Sequence, residues 1–123
     1  MSFSNPHHIA VISLWAEDVP AAVHFYRDII GLQLLHNPHH KEPHFDVGGT
    51  YLTILKGKPI PAQDAEPSHF PLIAFTVDDL DSAVECLRAH QVTLPWEVFE
   101  GTDSRWIKFY DSAGNLIELV QFT

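Results

Sequence analysis

Apolar and polar residues change period along this chain in a fixed order, and the order occurs twice. Val11-Ile12-Ser13-Leu14-Trp15-Ala16 is an apolar run of strand length. From Val19 the apolar side chains return at helical spacing, as Val19, Ala22, Val23 and Tyr26. Asp18 is placed to accept hydrogen bonds from the free amides of the first turn, and Gly31 to stop the helix. Gln33-Leu34-Leu35 then reads as a short strand. A loop rich in His and Pro leads to His44-Phe45-Asp46-Val47, where Gly48-Gly49 supplies a two-residue hairpin turn into Thr50–Leu55.

Sliding the sequence by 61 residues lays Glu17-Asp18-Val19-Pro20-Ala21-Ala22-Val23 over Asp78-Asp79-Leu80-Asp81-Ser82-Ala83-Val84, and Arg27 over Arg88. The second copy has Leu80, Ala83, Val84 and Leu87 at helical spacing behind Asp79. A weaker strand follows near Val98, then Arg105–Tyr110, a turn at 111–115 and Leu116–Val120. The predicted order is βαβββ twice: a first module over about 7–57, a linker at 58–68 with three prolines, and a second module over 69–123, together one domain of 1–123.

Composition narrows the function. A chain of 123 residues with 46% apolar side chains makes one cored domain, and a net charge of -9 repels phosphate backbones and anionic headgroups, so neither nucleic acid nor membrane is an expected partner. Cys86, the single cysteine, excludes an intrachain disulfide. Met1–Pro6 lacks the basic start of a secretory signal and no apolar run is of spanning length, so a cytoplasmic location is expected. No phosphate-cradling loop, Cys-x-x-Cys pair or nucleophile elbow is present.

The stretches from Glu17 to Leu32 and from Phe109 to Leu119, the latter containing Asp111-Ser112-Ala113-Gly114-Asn115-Leu116-Ile117-Glu118, resemble the two signature segments of the vicinal oxygen chelate superfamily. That group includes glyoxalase I, extradiol dioxygenases, and fosfomycin and bleomycin resistance proteins. The resemblance implies an α+β fold in which two βαβββ modules form a cupped mixed sheet with the helices on its outer face. It implies a homodimer as well. In metal-using members, it further implies, ligands come from the first and last strand of each module.

Those four positions are Val11 and Leu72, each seven residues before a capping Asp, with Thr53 and Glu118 in the last strands. Only Glu118 is a good ligand, so no cofactor is expected in the usual site. A divalent metal would need Glu118 with His8 or His44. His8 opens a His-Ile-Ala sequence, but using it as ligand would turn Ser13 and Trp15 toward the helices and Ile12 and Leu14 into the cup, a poor core. The preferred register pairs His8 with His69 as surface residues. The loop from Leu35 to His44, with His39 and His40, reads as a solvated connection without the fixed spacing of a closed metal site.

Alternation along the strands names the cup lining: Ser13, Trp15, Thr76, His44, Asp46, Tyr51, Thr53, Trp106, Lys108, Tyr110 and Glu118. Centring the last turn on Ala113 sets Lys108 opposite Glu118, which makes an ion pair the ordinary explanation of that carboxylate. Trp96, in a Pro95-Trp96 loop, is expected outside the cup, and Cys86, at the position of Phe25, is expected to be inert packing. Two functions remain open. The first is metal-independent sequestration of a small, flat, aromatic or cationic molecule, similar to the bleomycin resistance branch. The alternative is a metal-dependent lyase, isomerase or dioxygenase with a reduced ligand set, in which Glu118 and His44 are the candidate catalytic residues. The sequence does not decide whether turnover occurs.

Overall fold

The computed structural model describes residues 8–36, 41–59 and 71–123. The linker at 58–68 falls largely outside them, as do His39, His40 and His69. Among the described residues the order is β1 (Val11–Ala16), α1 (Val19–His24) continuing into a π-helical turn (Phe25–Ile30), β2 (Gln33–Leu35), β3 (His44–Val47) and β4 (Thr50–Lys56). The second unit repeats it as β5 (Ile73–Thr76), α2 (Leu80–Ala89), β6 (Phe99–Glu100), β7 (Ser104–Tyr110) and β8 (Leu116–Phe122). The strands form two four-stranded sheets, ordered β1-β4-β3-β2 and β5-β8-β7-β6. In each, the first strand runs parallel to the last and the remaining pairs are antiparallel. The fold class is α+β, and the sheet comes as two sheets that do not close on each other.

Local chemistry explains the boundaries. Asp18 and Asp79 cap the two helices, accepting from the amides of Ala21 and Ser82, each at 3.1 Å. The amide of Leu80 donates to Gln121 Oε1 at 2.7 Å, which ties the start of α2 to β8. Gly31 ends the first helix with φ +89°, and Gly48 and Gly49 both take positive φ, as a two-residue hairpin turn requires.

One face of each sheet packs on the helices. Tyr26, Phe45, Leu52, Ile54, Ile107, Phe109 and Ile117 are buried there, with Leu80 and Leu87 from α2. Burying an aliphatic or aromatic side chain of this size contributes about 1.5–3 kcal/mol, so this shared core holds both units. β1 has the register expected for it: Ala16 is buried on the helix side, while Val11 and Trp15 lie exposed on the other face.

The first helix departs from the expected α-helix. Its second half widens into the π turn, and Phe25 and Tyr26 both enter the core. The consequence corrects the reading of Cys86. Phe25 is covered by Phe109 of the other unit, with ring centroids 6.4 Å apart, whereas Cys86 is exposed beside an open groove and not packed.

Candidate functional site

The face of each sheet turned away from the helices is open. On the first sheet, register places Val11, Ser13 and Trp15 beside Tyr51, Thr53 and Leu55, with His44 and Asp46 on the next strand. On the second it places Ala74 and Thr76 beside Glu118 and Val120, and Trp106, Lys108 and Tyr110 beyond them. Five of the seven exposed large hydrophobic residues among the described residues lie on these faces: Val11, Trp15, Tyr51, Phe99 and Phe122.

On the first sheet, His44, Tyr51 and Thr53 share a cavity of about 370 Å³ with Val11, Leu35, His36, Glu42 and Leu55. The volume suits a small organic molecule. His44 is nearly buried, its Nδ1 lies 3.3 Å from the Glu42 carbonyl oxygen, and its ring meets Tyr51 edge-on at 5.9 Å. Thr53 Oγ1 donates to Ser13 Oγ at 2.9 Å, fixing both hydroxyls. Asp46 accepts from the Gly49 amide at 3.1 Å and so closes its own turn. Sequence alternation missed His36 and Glu42 because they flank a loop, where no period assigns a face.

The second open face is aromatic. Phe99 stacks on Trp106 at 4.5 Å, and Trp96 lies 5.7 Å from Tyr110. Trp96 therefore contacts a cup-lining residue, contrary to the expectation that it stands apart. A loop residue carries no alternation, so its partner was not readable. Two glycines seat the tryptophans of the two faces. A Cβ on Gly57 would come within 2.8 Å of the Trp15 ring, and one on Gly101 within 2.9 Å of Trp106. Thr76 instead lines a groove between the units, because β5 is a sheet edge.

Lys108 stands directly opposite Glu118, as the hairpin register requires. The charged ends do not close into an ion pair; the pairs formed by the described residues are His24–Asp28, Arg27–Asp28, Arg105–Asp81 and Arg105–Glu100. Burial holds the Glu118 carboxyl above its ordinary value, and the field of Lys108 pulls it partly back.

A buried polar network joins the two units beside this face. Asp111 accepts from the Ala113 and Asn115 amides at 2.9 and 2.8 Å, from Asn115 Nδ2 at 3.0 Å, and from the Tyr26 hydroxyl at 2.5 Å. Asn115 Nδ2 also donates to the Trp15 carbonyl at 2.9 Å. Burial and the neighbouring Asp111 carboxylate push the Tyr26 hydroxyl well above its ordinary value. Residues of the two signature segments thus meet in space.

The profile of the Glyoxalase/Bleomycin resistance protein/Dioxygenase superfamily matches residues 6–119. The chain belongs to this superfamily. It is 32% identical over 130 residues to the uncharacterized protein YaeR of Escherichia coli (strain K12), covering 98% of each chain. Its fold matches a glyoxalase/dioxygenase from Nostoc punctiforme with a TM-score of 0.85 at 22% identity, over 100% of this chain and 96% of the other. It also matches the fosfomycin resistance protein FosX of Listeria monocytogenes, complexed with Mn(II) and sulfate, with a TM-score of 0.74 at 25% identity, over 99% and 93% of the chains.

The superfamily's metal positions can be tested on donor chemistry. The Val11 and Leu72 side chains have no lone pair, and Thr53 offers only a neutral hydroxyl, a weak ligand, whose proton is donated to Ser13 Oγ. Of the donors that could replace them, Glu118 lies on β8 opposite Lys108, His44 lines the cavity of the first sheet with Tyr51 and Thr53, and His8 precedes β1. Among the described residues no three His, Cys, Asp or Glu side chains gather to hold a metal ion. The residues at the usual site do not fit one. No helix among the described residues is long and apolar enough to cross a membrane.

Proposed function

We propose that this protein binds a small, flat, partly aromatic molecule, uncharged or cationic, on the open faces of its sheets, without a metal ion in the superfamily's usual position. It acts in the cytoplasm as a homodimer. The observation that supports the reading is the chemistry of those faces: Trp15, Tyr51, Phe99 and Trp106 lie on the same open faces as Val11, Thr53 and Glu118, of which only Glu118 is a good metal ligand. Aromatic faces attract flat rings and cations, and a chain charge of -9 favours cations over anions. Pairing of two chains would cover the exposed apolar residues that a monomer leaves in water.

A second reading has one observation in its favour. Glu118 is a half-buried carboxyl held toward its protonated form, a property that recurs at acid-base sites, and FosX is a Mn(II)-bound relative in fold. In that reading Glu118 and His44 move protons. Metal analysis of protein purified without an affinity tag separates the two. The binding reading expects no retained divalent ion. One ion per chain, retained through dialysis against a weak chelator and lost in Glu118→Gln, would establish the enzyme reading instead.

A further inference from the structure

Each unit presents its helix to the hairpin turn of the other, and the two junctions differ. At the first, Phe25 and Tyr26 meet Phe109, Asp111 and Asn115, and the space is filled. At the second, the matching residues Cys86 and Leu87 line a groove of about 440 Å³ with Val47 and Gly48 of the first unit's hairpin. The groove is closed on other sides by Ile29 and Ile30 of the π turn and by Phe75. Among the described residues its lining contains no charged side chain.

Turn length gives the physical cause. Five residues, 111–115, separate the last paired positions Tyr110 and Leu116, and that loop reaches the other unit's helix. Only two, 48–49, separate Val47 and Thr50, so Asp46 and Thr50, the counterparts of Asp111 and Asn115, are paired in the sheet and bond to the Gly49 amide and the Ile9 carbonyl instead of to α2. Where the first helix then has a phenylalanine, the second has a thiol. A rare π turn, a feature frequent at functional sites, supplies the facing wall.

We propose that this groove is a second binding site, taking an uncharged apolar molecule with an aryl or alkyl group in the space that Phe25 fills at the other junction. Hydrophobic burial supplies the affinity and the absence of charge in the lining sets the selectivity. Cys86 lies in the wall, its Sγ 3.9 Å from the Ile29 carbonyl oxygen, and reports occupancy because the chain has no other cysteine.

The test titrates the full chain with N-phenyl-1-naphthylamine, an uncharged apolar fluorophore, and measures alkylation of Cys86 by iodoacetamide with and without it. Saturable fluorescence enhancement and slowed alkylation are expected. Cys86→Phe, which restores the residue of the first helix, should weaken the binding that remains without Tyr51 and Trp106 about tenfold or more, as filling a hydrophobic pocket does. Tyr51→Ala and Trp106→Ala remove only binding of this flat, uncharged probe at the open faces and should leave the probe concentration that half-protects Cys86 within about twofold. Protection is read on the unmodified chain, so a poorly folded Cys86→Phe does not remove the test. Binding without protection of Cys86, or protection lost in the open-face variants, overturns the proposal. So does a Cys86 shielded without the fluorophore and uncovered by dilution, which would assign the groove to a second copy of the chain.

Discussion

The two hairpin turns of this protein begin from the same residue and end in different roles. Asp46 and Asp111 each close the turn that follows them by accepting backbone amides. Asp111 also reaches Tyr26 and Asn115 and becomes the centre of a buried network between units, whereas Asp46 caps its own turn and stays half-exposed. The Asp-x-x-Gly spacing is the same in both, but five residues stay unpaired at the second turn against two at the first, and that separates a local turn from a lock between units. A repeated sequence unit carries its helix and strands from copy to copy, while the contacts between copies depend on the loops, which do not repeat.

Substitution at the two aspartates is the harshest way to break this comparison. Asp111→Ala leaves the Tyr26 hydroxyl and Asn115 without their acceptor in the core and should cost about 3 kcal/mol or more in urea unfolding. Asp46→Ala, which removes one exposed hydrogen bond, should cost about 1 kcal/mol or less. Equal losses would mean that Asp111 is no more than a turn cap. Tyr26→Phe comes next, at about 1–2 kcal/mol, since it removes a single donor from the same carboxylate.

The contrast also explains what the sequence made legible. Strand and helix positions follow period, so β2 and β3 have the predicted limits, and Gly31 and Gly48-Gly49 act as the stop and turn expected of them. The signature segments were visible, but not the reason they travel together, since the Tyr26–Asp111 bond spans 85 residues. Phe25 and Cys86 occupy one position of the repeat yet differ in burial, because what covers each belongs to the other unit. Trp96, His36 and Glu42 sit in irregular segments where no period assigns a face. The Lys108–Glu118 register followed from the turn, while the distance between two long side chains did not.

A smaller effect sharpens the comparison of the open faces. Gly57→Ala forces the Trp15 ring to move, and Gly101→Ala does the same to Trp106 while also crowding the Ser104 carbonyl at 3.0 Å. Each should alter the near-ultraviolet circular dichroism of its own tryptophan, at a stability cost of about 1 kcal/mol. Unchanged spectra would mean that the indoles are not seated on these glycines.

The smallest expected effect concerns Glu118. Its folded-state value is raised, so the protonated form stabilises the fold below the ordinary glutamate value of about 4.5, and that contribution is lost as pH rises through the folded value. Glu118→Gln keeps the neutral shape. The variant should therefore melt slightly higher than the parent at about pH 8, with the gap narrowing at about pH 4. A variant that melts lower at the higher pH would mean that the carboxylate has a stabilising partner there.

The central claim, binding by aromatic faces without a metal, is tested most directly by titrating proflavine, a flat cationic dye, against the tryptophan fluorescence of tag-free protein with and without EDTA. The account predicts one dissociation constant in both conditions and a marked weakening in Trp106→Ala and Tyr51→Ala. Binding that EDTA abolishes and Mn(II) restores would contradict it.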